Sequence, residues 1–348
     1  MATAKKNKIQ VAFAATGRMV ERNYPEPIQK EISGKLYIPY GRDNLYPEYL
    51  LSLYKSCSTL KAIIDGNVNY VMGSDFLVKD SEMMSEAEAE ELLRESIRDW
   101  YIFGYAFIQV MRNPFGEVID IVRIPAEFIR TDKDHQAFWY CEKWNRTSNA
   151  VIYPAFIPDA QTSESTVYMI GKGRGTYPEP LWSAAVKDVE MERKIETFHL
   201  NELENNFLSS MVVNFNNGDV SDEIREQIER DWQEKFSGET NAGRAVLCFN
   251  NNVQNRTTID RLASDNFDTR YQALASRTRE QIFIAFKAQP LLFGLSSETN
   301  VGWSTTEFSD LYKLYSKTMI LPVQLMFERA FAHVTGIEDF IHFNPFTL

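Results

Sequence analysis

Two long helical segments joined by a short turn, from Asp265 to Phe331, constrain this chain more than any other feature. In the first segment, apolar residues recur every three or four positions, a spacing that places them on one side of a helix. They are Phe267, Tyr271, Leu274, Ile282 and Phe286. Ser264 can cap the first turn of this helix, and Pro290 marks its end. Such a helix packs on one side only.

The second segment begins at Ser304-Thr305-Thr306-Glu307, which has the spacing of a capping box. Pro322 lacks a backbone donor and predicts a kink in the helix that follows. The stretch from Ser296 to Trp303 is short and polar and contains a glycine, so we expect an ordered loop held by two helices. The apolar face of the second helix comprises Phe308, Leu311, Tyr315, Met319, Val323, Phe327 and Phe331.

The sequence upstream predicts a mixed unit of helices and strands. Tyr46-Pro47 opens a helix that runs to about Met72, and SEMMSEAEAEELLRESIRDWYIFG contains another. YAFIQVMRN and EVIDIVRI, separated by a turn at 113–116, form a predicted hairpin rich in β-branched and aromatic residues. FWYCEKW and NAVIYPAFI are typical of further strands.

A long acidic helix and a small insert follow. The helix is predicted from Leu181 to Phe207, roughly 40 Å by the helical rise, and is either a solvated face or a functional surface. The insert at 208–262 has the predicted strands SSMVVNF, RAVLCFNN and TTIDRL and a helix from Ser221 to Phe236. The acids of the long helix are Asp188, Glu190, Glu192, Glu196, Glu202 and Glu204.

Composition predicts a folded chain, and the length allows either one large core or two to three compact units. Of its 348 residues, 44% are hydrophobic and 13% aromatic, which argues against disorder. No apolar run approaches the roughly 20 residues of a membrane span, and the first residues lack the apolar core of a secretion signal, so we expect a cytosolic protein. Cys57, Cys141 and Cys248 are far apart and predict buried thiols rather than disulfides or a zinc site.

Motifs for catalysis and metal binding are sparse. GKGRG at 171–175 could hold a phosphate, but it lacks the phosphate-loop pattern and is more typical of a turn. His199 shares a helix face with Glu196 and Glu202, as a metal or acid–base site would require, although a solvated helix histidine gives the same pattern. HExxH and GxSxG do not occur. No catalytic, cofactor-binding or metal-binding residue is predicted.

Taken in order, these segments resemble tailed-bacteriophage portal proteins. In that family a stem helix ends in an apolar, proline-containing turn, here AFKAQPLLFGLSSETN from Ala285, before a tunnel loop and a kinked wing helix. PYGRDNLYPEYLLSLYKSCSTLKAIIDGNVNYVMG resembles the first wing helix, and DWYIFGYAFIQVMRNPFGEVIDIVRIPAEFI the family's helix and hairpin. WQEKFSGETNAGRAVLCF resembles the clip segment. The likeness covers residues 39–334 and lies in the order of segments rather than in one motif.

The resemblance implies an α+β portal-type fold that assembles as a ring. Its parts are a mixed αβ wing, two long stem helices, a small αβ clip and a long kinked helix. Little chain follows that helix, so the crown is expected to be vestigial or absent. The implied boundaries are an N-terminal arm at 1–38, wing at 39–178, first stem helix at 179–207, clip at 208–262, second stem helix at 263–287, tunnel loop at 288–304, kinked wing helix at 305–335 and tail at 336–348.

The resemblance also implies a non-enzymatic role as a portal subunit of the virion, assembled in the bacterial cytoplasm. A dodecameric ring would form the DNA channel at one capsid vertex, for packaging and ejection. The implied partners are other copies of the chain, double-stranded DNA without sequence specificity, terminase, a head–tail adaptor, and the major capsid or scaffolding protein. No cofactor and no membrane are implied.

Candidate residues follow from this scheme. The net charge of −11 argues against a protein that grips nucleic acid, and an acidic channel would repel phosphates, although acidic surfaces also simply favour solubility. Glu196, Glu202 and Glu204 are expected to line the stem, and Arg270, Arg277 and Arg279 to face a neighbouring subunit. The clip surface is assigned to Arg225, Arg230, Trp232, Lys235 and Arg244. The tunnel loop is assigned to Ser296, Ser297, Glu298, Thr299, Asn300 and Trp303, in which Trp303 either anchors the loop or stacks on DNA.

Two other functions fit parts of the pattern. A nucleotide-using enzyme centred on GKGRG would bind ATP or a related nucleotide. A different ring-forming head–tail component would share the assembly, but such chains are generally smaller and lack paired long helices.

Overall fold

The chain divides into two compact units. The insert unit combines residues 1–23 with 192–276, and the main unit combines 24–191 with 277–348. The computed structural model describes residues 10–12, 25–80, 82–144, 150–171, 173–204, 211–215, 223, 224, 226, 227, 230, 245–249, 258–261, 267–295 and 305–346.

Helices and strands alternate irregularly, as the α+β prediction requires. The described α-helices are α1 (Tyr46–Ser56), α2 (Ser58–Met72), α3 (Glu86–Phe103), α4 (Val186–Glu204), α5 (Phe267–Ala285), α6 (Thr305–Tyr315) and α7 (Leu321–Thr335). The described strands are β1 (Gln10–Ala12), β2 (Asp75–Val78), β3 (Ala106–Arg112), β4 (Val118–Ile124), β5 (Ile129–Thr131), β6 (Ala137–Tyr140), β7 (Val151–Pro154), β8 (Thr166–Ile170), β9 (Met211–Phe215), β10 (Ala245–Phe249), β11 (Thr258–Arg261) and β12 (Ile341–Asn344).

The insert unit is built on one sheet with the order β1-β10-β9-β11. Strands β9 and β10 are parallel, and β1 and β11 pair antiparallel at the two sides. All three strands predicted for the insert are therefore present. Of the helix predicted from Ser221 to Phe236, residues 223, 224, 226, 227 and 230 are described, and they are helical.

The main unit packs its helices against short antiparallel sheets. The predicted hairpin is confirmed: β3 lies between β4 and β8. Its turn follows from local chemistry, because the Asn113 side chain accepts from the amides of Phe115 and Glu117, and Gly116 takes the left-handed backbone that glycine favours. Two smaller sheets, β5-β6-β7 and β12-β2, complete the unit. Strands β2, β5, β8 and β12 were not predicted from the sequence.

The prediction of a single helix from Tyr46 to about Met72 is wrong in one respect, because the segment forms two helices. Its ends at Tyr46 and Met72 are as expected, but Cys57 has an extended backbone and separates α1 from α2. The buried Cys57 thiol accepts from the Leu60 amide and so caps α2. Cys57 and Cys141 are both buried thiols, as predicted, while the Cys248 side chain lies outside the described part of the structure.

The acidic helix begins five residues later than predicted. Residues 183–185 form a turn of 3-10 helix, and α4 starts at Val186 rather than Leu181. Trp182 explains the delay, because its fully buried indole donates to the Tyr101 carbonyl at 3.0 Å and fixes this turn on α3. Glu190 and Glu192 are buried, so the acids of this helix do not all lie on a solvated face.

A π-helical turn at Ser316–Ile320 joins α6 to α7 and revises the expected proline kink. The Leu321 amide donates to the Ser316 carbonyl, five residues back, and Pro322 follows in the first turn of α7. Pro322 therefore enters the new helix where a backbone donor is not needed. The predicted apolar face is confirmed here, since Tyr315, Phe327 and Phe331 are buried.

One charged pair ties α3 to the hairpin. Asp99 is buried, and its two carboxylate oxygens accept from Nε and Nη2 of Arg123 on β4, each at 2.7 Å. This bidentate contact fixes the position of β4 beside α3.

Candidate functional site

The loop assigned to the channel lies outside the described residues, but both of its flanks are described. Ser296, Ser297, Glu298, Thr299, Asn300 and Trp303 belong to the undescribed part. Before it, α5 ends in a turn, and Pro290–Phe293 form a 3-10 helix closed by Gly294, which has a left-handed backbone. After it, α6 begins at Thr305, while the proposed cap at Ser304 is undescribed.

The incoming flank is attached to α2. The Tyr70 hydroxyl donates to the Leu292 carbonyl, and the Tyr70 ring meets Phe293 edge-on with centroids 5.8 Å apart. Gly66, one turn earlier, allows this approach, because a Cβ there would lie 2.8 Å from two atoms of the Phe293 ring. The absence of a side chain at this position therefore lets the flank sit directly on the helix.

The outgoing flank is attached to the same helix. The Tyr315 hydroxyl donates to Oδ1 of the buried Asn67 at 2.6 Å, and burial raises the pKa of Tyr315, which keeps this hydroxyl protonated. Beyond the π-helical turn, Nε2 of Gln324 donates to the Val71 carbonyl at 2.8 Å. The Tyr70 ring also contacts Tyr312 and Tyr315. A single stretch of α2, from Gly66 to Val71, thus holds both ends of the loop.

The support that α2 gives to both flanks was not predicted from the sequence. Its signal is the run GNVNY in α2, where Asn67 and Tyr70 lie on one side of the helix. An amide and a phenol on a packed helix side are hydrogen-bonded in folded proteins, so their presence indicated polar partners there. The identity of those partners could not be predicted, because Tyr70 and Leu292 are 222 residues apart in the chain.

The proposed stem residues are partly described. Exposed side chains are found at Glu196 on α4 and at Arg277 and Arg279 on α5. The structure does not describe the side chains of Glu202, Glu204 and Arg270. Helices α4 and α5 contact each other in the insert unit and again in the main unit. In the insert unit the rings of Phe198 and Tyr271 stack at 4.9 Å, and in the main unit the Thr278 hydroxyl meets the Met191 sulfur at 3.6 Å.

Of the proposed clip residues, Arg230 is described. It is exposed, and its Nε donates to the Glu226 carbonyl one turn earlier at 3.2 Å. Arg225, Trp232, Lys235 and Arg244 lie outside the described residues, so their assignment to a partner surface stays a prediction.

The glycines of the GKGRG motif serve close packing. A Cβ at Gly171 would lie 2.9 Å from the Gly104 carbonyl, and one at Gly175 would lie 2.9 Å from the Gln29 side chain. Gln29 in turn holds the backbone of the buried Tyr177 through hydrogen bonds at 2.7 and 2.9 Å. The motif is therefore a turn between β8 and α4 and borders an open cleft of about 750 Å³ that also contains Glu179.

Metal chemistry finds no support in the described part of the chain, where no three His, Cys, Asp or Glu side chains cluster as ligands. His199 lies beside the rings of Phe198 and Tyr271. No helix among the described residues is long and apolar enough to cross a bilayer.

Comparisons with solved structures define the fold. A chain in the neck of the native gene transfer agent particle, computed with C12 symmetry, matches with a TM-score of 0.54 at 12% identity over 86% of this chain and 84% of that chain. A chain in the virion of the native gene transfer agent particle matches with 0.52 at 12% identity over 85% and 83%. An HK97 family phage portal protein from Corynebacterium diphtheriae matches with 0.50 at 10% identity over 83% and 92%.

These structures share the mixed helix-and-sheet fold of this chain at low sequence identity. No curated protein sequence matches the chain. The family model for phage portal proteins matches residues 82–345, which is most of the sequence. The chain therefore belongs to the phage portal protein family.

Proposed function

We propose that this chain is the subunit of a portal ring, which forms the DNA channel at one vertex of a phage-type particle. The family match over residues 82–345 carries the proposal. Further support comes from similar chains in the gene transfer agent neck, which was computed with C12 symmetry, so a ring of about a dozen copies is the favoured assembly. Family membership favours a portal over another head–tail component.

The acidic character of the chain suits this role. A net charge of −11 repels the phosphate backbone, which allows a duplex to slide through a ring instead of adhering to it. In this proposal Glu196, Glu202 and Glu204 line the stem, whereas Arg277 and Arg279 face acids of the next subunit. Exposed positions for Glu196, Arg277 and Arg279 are consistent with both roles.

The loop at 296–304 forms the narrowest part of the channel in this proposal. Its flanks are fixed on α2, which is the kind of rigid support that a constriction needs. Its composition also fits, because neutral hydroxyl and amide groups contact phosphates weakly, and Glu298 is its single charge.

Electron microscopy of the purified full-length chain tests the assembly. Negative staining should show annular particles with a central hole. A field of monomers with no rings, even at high protein concentration, would contradict the proposal. Calorimetric titration with ATP addresses the nucleotide-enzyme alternative, which requires saturable heat, whereas the portal proposal predicts none.

Channel function is tested at Asn300. Asn300→Lys adds one cation per subunit, and a ring multiplies this contact, so DNA translocation or ejection should slow while rings still form. Deletion of 296–302 should permit assembly but abolish stable packaging. Normal packaging by the deletion variant would show that the loop does not face DNA.

Docking of terminase and later of a head–tail adaptor is assigned to the clip, and contact with capsid or scaffolding protein to the wing. Trp232→Ala should remove the packing of the clip helix on its small sheet and lower the free energy of unfolding by about 3–5 kcal/mol. Terminase binding should weaken as a result. Unchanged stability and docking would refute the clip assignment.

A further inference from the structure

Strand β4 is an open edge of the β4-β3-β8 sheet. At the opposite edge, β8 is covered by the segment around Phe156, whose amide donates to the Val167 carbonyl at 2.9 Å. Within the described ranges, β4 pairs with β3 alone. Alternate backbone donors and acceptors along β4 therefore face away from the sheet.

The open edge exposes two large apolar side chains. Ile119 is 53% exposed and Val122 is 36% exposed, and Ile119 is the extra residue of a β-bulge, since Met111 pairs with Asp120 and Arg112 with Val118. Natural edge strands are commonly protected by lysine, proline or a covering segment. From Val118 to Ile124, β4 contains neither lysine nor proline, and beyond the bulge at Ile119 the stretch from Asp120 to Ile124 keeps a regular register with β3. An uncovered edge of this kind tends to pair with another chain.

A groove runs between this edge and the first half of α3, with a volume of about 590 Å³. Its floor is apolar and includes the buried residues Met84, Leu92 and Ile121. Its rim is acidic, with Glu88, Glu91, Glu95 and Asp120. Arg123, which borders the groove, pairs with Asp99 and with Glu95, and Glu95 also pairs with Arg98, so the negative charge that the rim offers to an occupant comes from Glu88, Glu91 and Asp120.

We infer that β4 accepts an extended segment of a separate protein, added as a further strand, in which β-branched residues alternate with lysine or arginine. Backbone pairing with the open edge would supply affinity, the apolar floor would take the β-branched side chains, and the acidic rim would select the cations. The inference stands independently of the channel role, because it depends only on the local geometry of β4 and α3.

Fluorescence anisotropy with the full-length chain tests this interaction. The probe is a labelled peptide of about nine residues that alternates valine with lysine, matched in length to a strand. A second peptide replaces each lysine with glutamate, and a third carries N-methyl groups on alternate amides and so cannot complete a ladder. We expect saturable binding of the first peptide and at least about tenfold weaker binding of the other two. Equal binding of all three would overturn the inference.

Two variants locate the binding site. Glu91→Lys changes an exposed rim residue and should weaken binding of the valine–lysine peptide by about tenfold. Glu86→Lys, on the same helix but away from the groove, should leave this binding unchanged. Hydrogen exchange gives an independent measure, because the peptide should protect the amides of 118–124 and leave those of 166–170 unchanged. Protection elsewhere with none in β4 would refute the site.

A control peptide tests whether the groove is instead occupied by a segment from a second copy of this chain. A labelled peptide of residues 1–9, which contains Lys5, Lys6 and Lys8, should bind more weakly because it lacks the alternation of β-branched residues. If it instead binds the groove as tightly as the alternating peptide, the partner is a second copy of this chain and the assignment to a separate protein fails.

Discussion

Arg130 is a cation with no exposed surface, and five hydrogen bonds surround it. Its Nε and Nη2 donate to the side chain and backbone oxygens of Asn44 at 2.8 and 2.6 Å, and Nη1 donates to two nearby carbonyls. Nη2 also reaches the Glu48 carboxylate at 3.3 Å, and the guanidinium lies 4.8 Å from the Trp144 ring. This residue joins β5 to the start of α1, so it fixes the entry into the first helix pair.

Arg130→Met should therefore destabilise the main unit strongly. Methionine preserves bulk but leaves several buried acceptors without a donor, at a cost of about 3–5 kcal/mol. Urea unfolding followed by tryptophan fluorescence measures the change. Arg42→Met is the matched control, because its side chain is 63% exposed and its pair with Glu26 is on the surface, so its effect should stay within about 0.5 kcal/mol. Equal stability of the two variants would contradict this account.

Asp65 makes stability depend on acid pH. Burial favours its protonated form, but hydrogen bonds from Tyr54 and Lys61 and the charges of Lys61 and Arg98 outweigh this and lower its pKa. The ionised carboxylate therefore stabilises the fold above the unfolded pKa of about 4, and this stabilisation is lost as pH falls through the lower folded value.

In urea unfolding at a series of pH values, Asp65→Asn should differ most from wild type near neutral pH, and the two curves should converge as pH falls below about 4. Asp310→Asn, at a site where the side chain is 72% exposed, should follow wild type throughout. A constant difference between Asp65→Asn and wild type at every pH would refute the role of ionisation.

At the scale of elements, the contact between α2 and the incoming flank depends on a missing side chain. Gly66→Ala should favour the helix by about 1 kcal/mol, but a methyl group 2.8 Å from Phe293 forces displacement that costs about 1–3 kcal/mol. We expect net destabilisation, measured by urea unfolding. The double variant Gly66→Ala with Phe293→Leu should recover part of the loss, because the smaller side chain makes room. Additive effects would show that the contact is not tight.

Elements specified by neighbouring residues could be predicted from the sequence. The hairpin of β3 and β4 was found because Asn113 and Gly116 define its turn locally. The break at Cys57 and the late start of α4 were missed, because a buried thiol cap and the anchoring of Trp182 on Tyr101 depend on tertiary packing. Strand β12 was missed for the same reason, since its partner β2 is distant in sequence.

The candidate site shows the same division. The position of the loop between two helices followed from the apolar spacing around Phe286 and Tyr315. Its attachment to Asn67 and Tyr70 did not, because sequence periodicity indicates which side of a helix is buried but not what covers it. The residue assignments at 296–300 and Trp303 stay predictions.

At the scale of the whole molecule, assembly should depend on salt. Arg277 is exposed on α5 and is proposed to face acids such as Glu196 of the next subunit. Arg277→Glu reverses that attraction, and rings should be lost or altered at about 50 mM salt and partly restored at about 500 mM, where charges are screened. Native mass spectrometry or negative staining measures the ring fraction.

Arg329→Glu provides the matched control, because Arg329 is also exposed but lies on α7. Its ring fraction should equal that of wild type at both salt concentrations. If the Arg277 variant behaves in the same way, the stem helices do not associate through this charge, and another surface must close the ring.

The π-helical turn at Ser316–Ile320 affects how this chain should be aligned with relatives. A π-helical turn equals an α-helix with one inserted residue. Where a relative has a regular helix at this point, the single-residue gap belongs within 316–320 and not in the loop at 296–304. An alignment that places the gap in the loop would shift every position between that gap and the π-helical turn by one residue, and loop residues of a relative beyond the gap would be assigned to the wrong side chains here.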